Sequence, residues 1–236
     1  VVVLADILGF KERMKEAHDK GNQQEQLKWL NERLVEAHRE IDDPSRAKWK
    51  MKTFSDNVIV GYQYLGLWNG TFEFLQACYN ICHFQLELAV HGLFIRGGIG
   101  VGSIHIGDTL IFGYILEELD KADKREKNPH PRVILLESAM NHVNTHSEID
   151  ADGLLTAILW EDAGDKFINY LYPLQARGDS DRAEMLLNHK REIESNLKKY
   201  RDDGSIYNKY QWAANYHDRF CRESRIYSDN AYMISR

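Results

Sequence analysis

The chain has 236 residues, 43% of them apolar, which is enough for one sizeable core and short for two full domains, so a single α/β domain with extensions is expected. A net charge of −6 excludes a broad basic face that would hold a nucleic-acid backbone by counterion release, so no nucleic-acid partner is expected. No apolar run approaches the roughly 20 residues of a membrane-spanning helix, and Cys78, Cys82 and Cys221 fit a reducing compartment better than a disulfide framework, so the expectation is a soluble, cytoplasmic protein with no membrane partner.

Val1 to Ala5 read as a buried strand, ended by Asp6 and by Gly9, which permits a tight turn. The strand opens the chain without a Met, a basic start or a cleavage site, which argues against a signal peptide and for a few preceding residues. A helical region follows, with Leu27, Leu30, Leu34 and Ile41 as its core stripe and the Asp42-Asp43-Pro44-Ser45 cluster as its stop. From Ala47 the period changes to two, with Trp49, Met51 and Thr53 on one face and Lys48, Lys50 and Lys52 on the other. Val58 to Tyr62 is a second strand, and Ser55, Asp56 and Asn57 between them make a hairpin with Asp56 at its turn. Continued alternation would put Asp56 on the face of Lys50 and Lys52.

Phe72, Leu75, Cys78, Cys82, Leu86 and Val90 mark an amphipathic helix closed by Gly92. A glycine-rich β segment, Phe94 to Gly107, leads to a helix around Glu117 to Lys124, a charged surface loop to Pro131, and a strand from Arg132 to Leu136. A polar loop after Met140, strand-like stretches near Leu154 to Trp160 and Phe167 to Leu171, and two C-terminal helices complete the chain. The boundary is drawn at 175, with 1–175 as the main domain and 176–236 as a helical extension packing on it.

Two aspartates at strand ends, Asp6 and Asp56, are what two-metal phosphoryl chemistry needs, because hard Mg²⁺ or Mn²⁺ prefers carboxylate oxygens. Asp6 is followed by a glycine turn and a helix start, where free backbone N–H groups can receive phosphate oxygens. An aspartate ending a strand is also a common turn or cap residue.

Order and spacing add specificity. Ala5-Asp6-Ile7-Leu8-Gly9-Phe10 resembles the F-x-D-I-x-G-F signature of class III nucleotidyl cyclases, with Leu4 in place of the first Phe. Lys50-Met51-Lys52-Thr53-Phe54-Ser55-Asp56 resembles that family's K-x-K-x-x-G-D hairpin, with Ser55 for Gly. Ile95-Arg96-Gly97-Gly98-Ile99-Gly100-Val101-Gly102 resembles its L-R-x-G-I-x-x-G strand, and Phe112-Gly113 its W/F-G step. The four blocks stand in family order over roughly residues 1–125.

The resemblance implies an α/β (α+β) ferredoxin-like palm, used as a homodimer with active sites at the interface and carrying a C-terminal helical extension. It also implies two Mn²⁺ or Mg²⁺ ions per active site on Asp6 and Asp56, one of them also on the Ile7 carbonyl, with Leu8, Gly9 and Phe10 at the phosphates. The implied reaction is attack of the ribose 3′-oxygen on the α-phosphorus with loss of pyrophosphate. Counted from Phe112-Gly113, the family's base-reading Asp falls on Leu110, its ribose-orienting Asn on Glu117 and its transition-state Arg on Lys121. A lysine keeps the charge of that arginine but not its fork.

These departures, with Gly113 to Glu118, Pro131 to Ser138, Phe167 to Leu171 and the Lys209-Tyr210-Gln211-Trp212 stretch, resemble the Pycsar pyrimidine cyclases of bacterial anti-phage defence. That implies a manganese-dependent uridylate cyclase whose cyclic UMP acts on a separate effector protein. The alternatives are a cytidylate cyclase and a catalytically weak, nucleotide-binding dimer. Trp49, Lys50 and Arg96 are the candidates for base selection. Their plainer readings are strand packing for Trp49, a solvated strand face for Lys50 and an ion pair for Arg96. Replacing Asp6 or Asp56 by Ala is expected to abolish turnover and leave the fold largely intact.

Cys78 and Cys82 read as core cysteines rather than metal ligands, and His142, His146 and His217 have no spacing that singles them out. The glycines from Gly97 to Gly102 are expected to allow close backbone approach at a dimer interface.

Overall fold

The computed structural model describes residues 1–39, 49–63, 65, 70–123, 129–146, 150, 152–175, 180–224 and 231–235. It is a mixed α/β fold built on a seven-stranded sheet whose spatial order is β2 (Trp49–Phe54), β3 (Asn57–Tyr62), β1 (Val2–Ile7), β4 (Ile95–Gly100), β7 (Val133–Leu135), β9 (Asp165–Ile168) and β8 (Leu159–Asp162), with β4 and β7 parallel and the other neighbours antiparallel. The first part runs β1 (Val2–Ile7), α1 (Phe10–Asp19), α2 (Gln23–Arg39), β2 (Trp49–Phe54), β3 (Asn57–Tyr62), α3 (Thr71–Ala89) and β4 (Ile95–Gly100). β1 is thus central between β3 and β4, and its two ends are fixed on both sides. No helix among the described residues is long and apolar enough to cross a membrane.

α3 is the main core helix, and Cys78 and Cys82 lie fully buried in it as free thiols, pushed up by burial. The expected stripe on α2 is only partly inward: Leu30 is buried, Leu34 half-buried, and Leu27 exposed. Ile41, the stop cluster after it, Ala47 and Lys48 lie outside the described residues, as do 124–128 of the expected surface loop.

The glycine-rich segment is shorter as a strand than its sequence suggests. After β4 come a small separate hairpin, β5 (His105–Ile106) and β6 (Ile111–Phe112), then α4 (Ile115–Asp123) and β7 (Val133–Leu135). The glycines of β4 are demanded within the chain itself. A Cβ on Gly97 would run into the Leu4 carbonyl and Ala5 of the neighbouring strand, while Gly98 and Gly100 are closed in by Leu136 and Ile115.

Two expectations fail further on. Glu137–Thr145 is a helix, α5, where a polar loop was expected after Met140. Leu154–Ile158 is a short helix, α6, started by Gly153 at φ 74°, and only Leu159–Asp162 is strand, β8. A five-residue run with four apolar positions carries no period long enough to distinguish the two. β9 (Asp165–Ile168) closes the sheet.

The C-terminal helices α7 (Ser180–Lys199) and α8 (Gly204–Glu223) share the apolar cluster of the sheet: Leu186, Ile193, Ala213, Ala214 and Phe220 are fully buried in it. Between them runs a buried polar chain. Tyr170 donates to Nε2 of His189 (3.0 Å), Nδ1 of His189 meets Nδ1 of His217 (2.8 Å), and Nε2 of His217 meets the Tyr232 carbonyl (2.8 Å). A carbonyl can only accept, so His217 carries its proton on Nε2, and His189 must then donate from Nδ1. Each ring is neutral and holds one tautomer.

Candidate active site

β1 delivers Asp6 to the end of the sheet, opposite Asn57 on β3 and Arg96 on β4. The β2–β3 hairpin closes there with a two-residue turn, Ser55-Asp56, because Phe54 pairs with Asn57. The chain after Asp6 passes between these neighbours: Ile7 donates its N–H to the Asp56 carbonyl (2.8 Å) and Leu8 to the Phe94 carbonyl (2.8 Å). Gly9, at φ 72°, then turns the backbone into α1. It provides no side-chain cap, so the first-turn amides of α1 have no side-chain acceptor from their own N-cap.

Arg96 forks onto Asp6, with Nε to Oδ1 at 2.7 Å and the second nitrogen to Oδ2 at 3.0 Å. Both side chains are largely withdrawn from water, 5% and 13% exposed, which makes this a close, bidentate, charge-assisted pair. The ion-pair reading of Arg96 therefore describes this structure.

Asp6, Ile7, Leu8, Gly9, Phe10, Asp56 and Arg96 all line one cavity of about 180 Å³. Seven of the expected site residues, drawn from three separate segments, are thereby brought together. Trp49 and Lys50 are not among its lining residues. Trp49 stacks on Tyr62 at 6.2 Å and against His38 at 4.8 Å, which is strand packing, and Lys50 donates to the Ile106 carbonyl at 3.1 Å. Lys52 approaches Asp108 at 3.8 Å. The shared face expected for Asp56, Lys50 and Lys52 does not arise, because the turn ends the alternation before Asp56. The side chain of Lys121, on α4, lies outside the described residues, and Leu110 is exposed.

The other wall of the cavity was not anticipated. It comes from the end of α7 and the start of α8: Tyr200, Asp203, Ser205, Ile206, Lys209 and Tyr210. The N-cap Asp203 could be found in sequence; its position over Asp6, nearly two hundred residues away, could not.

Two carboxylates facing one cavity fit Mn²⁺ or Mg²⁺ in donor chemistry, and the approach of a cation to Asp6 must contend with the guanidinium already on both its oxygens. A second cluster, Glu36, Glu87 and His91, has ligand atoms within 4.8 Å of one another. Arg33 sits in it, 2.6 Å from Glu36 and 3.3 Å from the His91 ring nitrogen, and already supplies the positive charge. The chain matches no family model, no curated protein and no solved structure.

Proposed function

We propose that this chain is a nucleotidyl cyclase of the class III type that converts UTP to 3′,5′-cyclic UMP and pyrophosphate. The observation that carries the reading is the meeting of Asp6 and Asp56 on one cavity, beside a glycine turn and an uncapped helix start. The β-α-α-β-β-α-β order of the first part, a β-α-β-β-α-β unit with one helix added after α1 and with β1 between β3 and β4, supports a ferredoxin-like cyclase palm. The choice of a pyrimidine rests on the resemblance of the motifs alone.

Asp6 and Asp56 would hold two Mn²⁺ or Mg²⁺ ions, which when bound neutralise the triphosphate and polarise its phosphoryl oxygens. The first-turn amides of α1, reached through Leu8, Gly9 and Phe10, receive phosphate oxygens along the helix dipole. Asp6 and Asp56 would position the nucleotide so that the ribose 3′-hydroxyl oxygen lies in line with the α-phosphorus; its bond to phosphorus forms as the bond to pyrophosphate breaks on the opposite side, and the hydroxyl proton passes to water. Trp49 and Lys50, away from the cavity of their own chain, would reach a nucleotide only from a second copy, as would Lys121 in a homodimer with interface sites. The cyclic nucleotide would then act on a separate effector.

The fork of Arg96 on Asp6 favours a second reading, a nucleotide-binding dimer with little turnover. A product assay with Mn²⁺ and each of the four ribonucleoside triphosphates separates the readings. Cyclic UMP and pyrophosphate from UTP are expected; cyclic CMP alone would make the chain a cytidylate cyclase, a cyclic purine alone rejects the pyrimidine assignment, and no product from any triphosphate rejects the enzyme. Asp56→Ala is the cleaner site variant, since among the described residues the Asp56 carboxylate loses a 3.3 Å contact from Asn57 and no ion pair. It should lower turnover by at least ~100-fold with an unchanged unfolding midpoint.

A further inference from the structure

The C-terminal helix pair does more than cover apolar surface. Ser205, Ile206, Lys209 and Tyr210 fall at i, i+1, i+4 and i+5 of α8, one face of its first two turns, and that face lines the cavity of Asp6 and Asp56. The stripe that follows, Ala213, Ala214, His217 and Cys221, is buried in the core, so the helix is held by its later turns while its start stays on the cavity.

The wall is also tied to the phosphate loop itself. Tyr210 packs edge-on against Phe94 at 5.5 Å, and the Phe94 carbonyl takes the Leu8 N–H. Tyr200 stacks flat on Tyr210 at 5.9 Å, and Lys199 bonds Glu16 of α1 at 2.6 Å. The start of α8 is therefore fixed relative to Gly9 and the first turn of α1.

The two helix starts at the cavity differ. Asp203 accepts from the N–H groups of Ser205 and Ile206, both at 3.1 Å, so the amides of α8 are already taken by its own cap. α1 has no such cap. What α8 offers an anion is a side chain, and the cation on its cavity face is Lys209, half-buried and a turn beyond the cap. Lys11 and Arg96 stand across the cavity. Among the described residues that line the far wall, Lys209 is the cation set opposite the α1 amides.

We propose that the C-terminal helix pair forms a working wall of the nucleotide pocket and that Lys209 binds the polyphosphate of the triphosphate in the same chain as Asp6 and Asp56. The identity of the ligand rests on the cyclase reading above; the cavity and its two walls do not. The strongly hydrated ammonium suits phosphate oxygens as a point charge, without the forked geometry a carboxylate partner would favour.

The test is calorimetric binding of inorganic tripolyphosphate with Mg²⁺ to the full chain, for the unaltered protein and for Lys209→Ala, Lys209→Arg and Lys209→Glu. The unaltered protein should bind. Alanine should weaken binding by about tenfold or more, glutamate should weaken it further, and arginine should retain most of it. The arginine variant guards against a loss caused by a disturbed helix, because it keeps a long cationic side chain at the same position. Equal affinity in all four proteins would overturn the role of Lys209 and leave the cyclase reading standing. No binding to the unaltered protein, with UTP turned over, would overturn the inference alone; no binding and no turnover would overturn both.

Discussion

The acidic cavity and the histidine chain beneath α7 and α8 both carry polar groups away from water, and they satisfy them differently. At the cavity the solution is ionic: Arg96 and Asp6 neutralise one another through two short bonds. Among the histidines it is neutral, with one proton per link from Tyr170 through His189 and His217 to the Tyr232 carbonyl. An ionic pair can exchange one cation for another at the carboxylate, which is what a metal-binding role for Asp6 requires. The histidine chain offers no such exchange, since every ring nitrogen is already assigned as donor or acceptor, and its place is to tie α7, α8 and the 231–235 segment to the sheet.

The largest effect that would break this contrast is on stability. Asp6→Ala takes from a buried guanidinium the carboxylate it forks onto, and removing one partner of a buried pair costs about 3–5 kcal/mol. Asp6→Ala should therefore cost stability that Asp56→Ala does not, because among the described residues Asp56 has no such ion pair to lose. Urea unfolding of Asp6→Ala should show the deficit, and Asp6→Ala with Arg96→Met should recover most of it by removing the stranded charge. A single variant as stable as the unaltered protein would mean that the pair is not held as described.

The histidine chain makes a smaller, pH-dependent prediction. Burial pushes the pKa of His189 well down, reinforced by His217, and burial likewise lowers His217 against the opposing pull of the Tyr232 carbonyl. Each group binds its proton more readily in the unfolded chain, so the stability it contributes is complete above the unfolded value near 6.5 and is lost as pH falls toward the folded values. The slope should approach about 1.4 kcal/mol per pH unit for each histidine below that point. Urea midpoints between pH 7.5 and pH 5 measure it, and His189→Gln, which keeps a donor and an acceptor but cannot titrate, should reduce the slope by about one histidine's share. A slope unchanged by the substitution would show that other groups carry the acid sensitivity.

The same contrast separates what the sequence disclosed from what it hid. The opening strand, Asp6, the Gly9 turn and the hairpin carrying Asp56 were legible because each is local: a period of two, an acid, a residue that tolerates positive φ. Arg96 was legible as a candidate but not as the partner of Asp6, since strand order is set by long-range pairing. The roof of the cavity and the pairing of His189 with His217 were invisible for the same reason, each joining elements whose mutual packing no spacing records. Leu154 to Ile158 was misread because a five-residue, mostly apolar run fits a strand or a helix equally, and the polar face of Glu137–Thr145 hid a helix whose inward residue is Ala139.

The finest difference lies in the turn that presents Asp56. Ser55 is held at φ 56°, the left-handed region, and of the two central residues of the hairpin it alone has positive φ. An L side chain there is strained, while glycine is not, so Ser55→Gly should relieve strain at the cost of a more flexible unfolded chain. The net gain should be small, about 0.5–1 kcal/mol, and readable as a raised urea midpoint. Ala163, at φ 53° in the β8–β9 turn and not among the residues lining the cavity, provides the control: Ala163→Gly should stabilise by a similar amount and leave turnover unchanged. If Ser55→Gly stabilises as much but lowers turnover, the serine is holding the Asp56 carboxylate in place through its strained backbone; if it stabilises and turnover is unaltered, the strain serves no purpose at the site and the turn merely tolerates it.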